Sequence, residues 1–174
     1  DFSLSITTNS TGAVTYAIAD PSIATVSGNT VTIVGEGSTT VTATQVSDSN
    51  FNSGVVTMTL TVSRANISAA AIASIPDQTY TGSAITVTPA VTFNSSTLVL
   101  GTDYTVSYNN NTNVGTADFV ITGIGNFTGT QTENFDIVKA DPTLTFNDVS
   151  KTFGDADFSL SITTNSTGAV TYAI

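Results

Sequence analysis

Apolar and polar residues alternate with a period of two along most of the chain. In Val56-Thr57-Met58-Thr59-Leu60-Thr61-Val62 the apolar side chains share one face and the threonines the other. Thr40-Val41-Thr42-Ala43-Thr44, Tyr104-Thr105-Val106-Ser107-Tyr108 and Ala117-Asp118-Phe119-Val120-Ile121 repeat the pattern. Successive strand residues point to opposite faces, so each run predicts a strand with one face on a core and one in water. Turn-forming residues punctuate these runs at the spacing of a β-sandwich: Asp20-Pro21, Ser27-Gly28-Asn29, Gly35-Glu36-Gly37, Asn52-Ser53-Gly54, Tyr80-Thr81-Gly82 and Asn109 to Asn113. The Ala-rich stretch from Ser68 to Ser74 is short and is followed by Pro76, which predicts strand or irregular structure there and not a helix.

The pattern itself recurs. Asp1 through Ile18 returns letter for letter as Asp157 through Ile174, a period of 156 residues. Self-similarity at a fixed period is the mark of a tandem array. Two joints look equivalent, Val62-Ser63-Arg64-Ala65-Asn66 and Val138-Lys139-Ala140-Asp141. They divide the chain into residues 1–64, a complete module at 65–139, and residues 140–174, which open the next copy of the first module. The first 64 residues then lack their opening strands, Pro142 to Phe146 and Ser150 to Phe153, which stand only at the other end of the chain. An unpaired strand edge is expected there. The preceding segment of an array would fill it, and in an isolated chain residues 141–156 of a neighbour would do so head to tail.

Composition narrows the function. Charged residues are 9% of the chain, yet the net charge is −10, because Arg64, Lys139 and Lys151 are the only cations. Such a surface cannot neutralise phosphates, which excludes nucleic acid as a partner and argues against docking on anionic lipid. There is no Cys and hence no disulfide or thiolate site, and no apolar run reaches the roughly 20 residues that span a bilayer. Thr makes up about a fifth of the residues and, with Val, Ile and the aromatics, favours strands.

The run from Thr15 to Thr44 resembles the bacterial immunoglobulin-like "Big" repeats of surface adhesins. It carries an aromatic strand at Tyr16, a turn at Asp20-Pro21, Ile23-Ala24-Thr25-Val26, a Gly turn, then Gly35-Glu36-Gly37 and Val41-Thr42-Ala43. Tyr16 stands where the family often has Trp. Residues 65–139 resemble the "MBG" type of bacterial surface repeat through Tyr80-Thr81-Gly82, Gly101-Thr102-Asp103-Tyr104 to Tyr108, Asn110 to Ala117, and Gly123-Ile124-Gly125-Asn126-Phe127-Thr128-Gly129. The alternation of two types also resembles the very large surface adhesins of gliding bacteria. These resemblances imply an all-β fold of tandem immunoglobulin-like β-sandwiches arranged end to end, in an extracellular protein of the bacterial cell surface.

Little chemistry can be built from these residues. Without His or Cys there is no conventional catalytic triad, and the absence of Trp and the scarcity of cations leave no cleft chemistry to assign. The Tyr and Phe residues are expected mostly on inward strand faces. No enzyme activity, catalytic residue or cofactor is expected. Asp148, Asp155 and Asp157 are the weak candidates for a calcium ion, which wants six to eight oxygens, and no loop of regularly spaced ligands accompanies them. The glycines from Gly123 to Gly129 lie between strands and read as turns, not as a phosphate-binding loop. The Asn109 to Asn113 run reads as a hairpin turn, since Asn tolerates positive φ. The expected role is a stalk or filament repeat that gives an adhesin reach and tensile continuity. Its partners would be neighbouring repeats, other filaments or surface polysaccharide. The alternative is that the repeats themselves bind polysaccharide or a host glycan through loops such as 109–113.

Overall fold

The computed structural model describes residues 1–173, and the chain is all-β, with one short 3-10 turn and no α-helix among those residues. In chain order the strands are β1 (Phe2–Ser3), β2 (Val14–Ile18), β3 (Ala24–Ser27), β4 (Thr30–Ile33), β5 (Gly37–Gln45), β6 (Gly54–Val62), β7 (Ala65–Asn66), β8 (Ala71–Ile72), β9 (Gln78–Thr79), β10 (Val91–Phe93), β11 (Ser96–Thr97), β12 (Tyr104–Asn109), β13 (Gly115–Gly123), β14 (Phe127–Thr128), β15 (Thr130–Val138), β16 (Leu144–Thr145) and β17 (Thr163–Thr164). The Ala-rich stretch becomes a 3-10 turn at Ile67–Ala69, capped by the Asn66 side chain, followed by β8.

Residues 1–62 form two three-stranded sheets, β1-β4-β3 and β2-β5-β6. Gly28, at φ 60, turns β3 into β4. On the second sheet, Tyr16, Ala43 and Val56 lie side by side, and so do Ile18, Val41 and Met58. The core of this unit is small: Leu4, Ala24, Val31 and Val41 are buried, with Tyr16, Ile18, Val26 and Leu60 packed around them. Asp20 N–H is satisfied by the Thr39 hydroxyl at 2.9 Å, which accounts for that buried threonine.

Residues 65–138 pack a fuller core between the sheets β11-β10-β8 and β12-β13-β15-β9. Phe119, Ile67, Ile121, Ile137 and Val91 are the largest of its fully buried side chains. Phe119 meets Tyr108 edge-on at 5.8 Å, and Phe127 meets Phe93 at 5.2 Å. Each such burial contributes about 1.5–3 kcal/mol, so this unit carries most of the stability of the chain. The expected turns are in place: Asn110 adopts φ 55, and Gly125 and Gly129 take positive φ where the chain reverses between β13 and β15.

Three expectations are corrected. First, the apolar face of β6 is not covered along its length: Val56 is 55% and Met58 47% exposed, and only from Leu60 onward does the strand sink toward the core. The β1-β4-β3 sheet is too narrow to reach them. Second, of the opening strands at the other end, Leu144–Thr145 pairs with Thr163–Thr164, but Ser150 to Phe153 forms no strand and the Phe153 ring is wholly in solvent. A strand needs a ladder partner, and this segment has none. Third, the aromatics of residues 65–139 are buried or half-buried except Tyr80, whereas Phe2, Phe51, Phe146, Phe153, Phe158 and Tyr172 are exposed.

Candidate functional site

A small, shallow apolar hollow lies on the inner face of β2-β5-β6. Leu4 and Ile6 wall it on one side, Tyr16 and Val41 floor it, and Val56 and Met58 lie at its open end. The segment that closes its near wall is pinned by Asp48. This carboxylate accepts from the Ser10 and Thr11 hydroxyls at 2.7 and 3.1 Å and from the Thr11, Asn50 and Phe51 N–H groups at 2.7–2.8 Å. The Gln45 amide donates to the Gly12 carbonyl at 2.9 Å from the same side.

The Ser10 hydroxyl, then the N–H groups of Asn50 and Thr11, hold the Asp48 carboxyl well below the usual carboxylate range. A depressed folded-state pKa contributes stability above the unfolded value of about 3.9 and loses it as pH falls below that. The first unit of the native chain is therefore expected to weaken in urea as pH drops from about 4 toward 2. Asp48→Asn should be weaker at neutral pH and show a shallower acid slope. The residual slope would come from Asp20, whose carboxyl the Ser22 hydroxyl and N–H also lower. Equal acid slopes in the two proteins would refute the assignment.

A second feature is the joint at Arg64. The Asn126 side chain accepts from Glu36 N–H at 2.9 Å, and its carbonyl accepts from Ala65 N–H at 2.9 Å. One residue thus ties the end of the first unit and the entry of the second. β7 pairs in parallel with β14 immediately beyond, with Ala65 opposite Phe127. The exposed Arg64–Glu36 pair, at 3.3 Å, adds little beside these bonds. Sequence reasoning placed a joint at Arg64 but gave no sign of Asn126, because that residue is distant in the chain and sits in a Gly-rich turn like any other.

The 109–113 loop borders an open polar hollow with Thr112, Asn113 and Thr116. Asn111 is committed to the fold: its side chain donates to the Ile85 carbonyl at 2.7 Å and its own carbonyl accepts from Ile85 N–H at 2.7 Å. Asn109 donates to Asp118 at 3.3 Å. The acidic candidates Asp148, Asp155 and Asp157 are all exposed, and Asp155 caps its own turn by accepting from Thr152 N–H at 2.8 Å. Among the described residues no three His, Cys, Asp or Glu come together in a group that could hold a metal ion. No helix among them is long and apolar enough to cross a membrane.

No protein-family model matches the chain, and comparison with curated proteins finds no match.

Proposed function

We propose that the chain is a stalk repeat of a secreted bacterial cell-surface adhesin, built of tandem immunoglobulin-like β-sandwiches end to end, and that its work is reach and tensile continuity. The observation that carries this reading is the polarity of residues 65–138. The chain enters beside Asn126, near the Gly123 end of β13, and leaves at Val138, next to Ile137, which lies opposite Gly115 at the other end of the same strand. Entry and exit are thus separated by a nine-residue strand, about 30 Å. Tension along the chain runs parallel to the long strands. It loads the β7–β14 and β9–β15 parallel pairs in shear, so that their hydrogen bonds share the force. The joint at Arg64 adds no slack, since Asn126 holds both sides of it.

A low content of cations and a net charge of −10 keep such filaments soluble and mutually repelling at high local density. The identical segments of the array are separated by a different module, which lowers the chance that immediate neighbours exchange strands. We propose no catalytic role.

An array of several periods tests the proposal. Its mass per length should correspond to one 156-residue period per about 60–70 Å, two stacked units of about 30 Å each plus the turns at their ends. Pulled from its ends, each period should give two separate unfolding events, one per unit. A compact scattering profile, or units that yield at forces no greater than a flexible linker, would refute it. A specific hit for the same array on a glycan panel would favour polysaccharide binding by the repeats instead.

A further inference from the structure

The two edges of the β12-β13-β15-β9 sheet run along the flanks of residues 65–138, and they are built differently. At the β12 edge, Gly101 N–H donates to the Tyr104 C=O at 2.8 Å from the side away from β13. Alternate residues of a strand aim their N–H and C=O the same way, so those of Val106 and Tyr108 also point out of the sheet. No group among the described residues bonds to them. Their side chains face inward, opposite the buried Ile121 and Phe119. Beside them an apolar hollow, walled by Val87, Pro89 and Leu100, opens at the flank, and no charged residue lines it. At the other edge, Tyr80 N–H meets the Val138 C=O, so Thr132 and Asn134 of β15 aim their N–H and C=O outward, beyond the reach of the two-residue β9. Glu133, between them, lies on the inner face opposite the buried Phe119. An inward charge on an edge strand is one way β proteins keep a second chain from pairing there. In the facing sheet the edge strands β11 and β8 have two residues each. Of these edges, β12 is the long one with open hydrogen-bonding groups and no guard.

We infer that β12 is a docking edge for β12 of a second copy of the chain. The two strands pair antiparallel about a two-fold axis at Ser107, with Val106 of each copy opposite Tyr108 of the other. In that register every outward N–H and C=O of both residues is used. A register centred on Val106 is blocked, because it sets Tyr108 against Tyr104, whose C=O is already taken by Gly101. On the outer face Ser107 meets Ser107 and Thr105 meets Asn109, so no like charges oppose each other in a chain of net charge −10. On the inner face Val106 and Tyr108 of the second copy lie across the open flank of the hollow. The two four-stranded sheets become one sheet continuous across the pair. The same patch serves on both copies, so the contact closes on a pair. The chain enters and leaves this unit at opposite ends of β13, whereas β12 lies along its flank, so a preceding or following repeat of the same chain does not cover it. The inference rests on this edge alone and holds whether or not the chain is a stalk. In a stalk the contact recurs every period and joins filaments side by side, running in opposite directions.

In sedimentation velocity the full chain should pass from monomer to dimer as its concentration rises. Ser107→Glu and Ser107→Lys each set like charges face to face at the two-fold axis. Ser107 is exposed, so both variants should keep the native circular-dichroism spectrum and melt. Each alone should stay monomeric at concentrations where the native chain is dimeric. An equal mixture of the two should dimerise, since Glu then faces Lys. The register has its own readout in a chain without cysteine. At Ser107 the two backbones form a non-hydrogen-bonded pair, Cα to Cα about 4.5 Å, within the span of a disulfide. Under mild oxidation Ser107→Cys should form a cross-linked dimer, and Thr132→Cys, on the guarded edge, should not. A native chain that stays monomeric, charge variants that dimerise as it does, a mixture that stays monomeric, or Thr132→Cys chains that cross-link as fast as Ser107→Cys chains would overturn the inference.

Discussion

Phe119→Ala should unfold residues 65–139 while leaving the first unit folded. The ring is 1% exposed, centred on β13 between two pairing strands, and edge-on to Tyr108. Truncating a buried Phe costs about 3–5 kcal/mol, the lost transfer energy plus the cavity left behind. For a unit of this size that is a fall in melting temperature of at least about 12 °C. The two clusters of buried side chains share no residue, so the loss should stay local. Amide hydrogen exchange checks both parts: protection of β12, β13 and β15 should collapse, and that of β5 should persist. Equal loss of protection in β5 would mean that the two units fold as one cooperative body. The melting curve should also become biphasic, since a chain with two independent cores is not a two-state system.

Gly12→Ala and Gly168→Ala should differ sharply, although the two glycines sit in identical sequence. A Cβ on Gly12 would overlap the Val46 carbonyl oxygen, which is backbone and cannot step aside. Around Gly168 the nearest atom would be the Ser166 hydroxyl at 3.3 Å, the end of a small exposed side chain. We expect Gly12→Ala to cost about 3 kcal/mol or more, the upper end of the range for overpacking, because β2 must shift against β5 to relieve it. Gly168→Ala should fall within about 0.5 kcal/mol of the native chain. Urea unfolding followed at β5 amides measures both. Equal effects would show that the Gly12–Val46 approach does not hold the first unit together.

The long strands were the most legible part of the chain. Period-two alternation placed β5, β12 and β13, and the Gly and Asn turns fell where their backbone freedom is used, at Gly28 and Asn110. Alternation tells which face of a strand is apolar but cannot tell whether anything covers it. That is why Val56 and Met58 were expected inside and Phe153 was expected on a strand. The Asn126 joint and the Asp48 clasp were invisible for a related reason. Each joins groups far apart in sequence through a single polar side chain, and nothing local marks such a residue.

The duplicated eighteen residues separate the two kinds of information. In both settings the Thr-x-Ser-x-Gly stretch folds the same way. Ser10 N–H donates to the Thr8 hydroxyl at 3.1 Å and Ser166 N–H to Thr164 at 3.0 Å, while Gly12 and Gly168 N–H groups each donate to their own serine at 3.1 Å. These contacts reach only two residues along the chain, so the sequence by itself determines them. Everything else differs. Leu4 is buried where Leu160 is 38% exposed, and Val14–Ile18 is a strand where the described residues of its counterpart are not. A strand exists only when a second strand supplies its hydrogen bonds, and a second sheet that covers its apolar face buries it. For the first copy β4 pairs with Phe2–Ser3 and β5 with Val14–Ile18, and Asp48 clasps the Ser10–Thr11 loop between those two segments. Tertiary partners therefore decide which copy of one sequence becomes sheet.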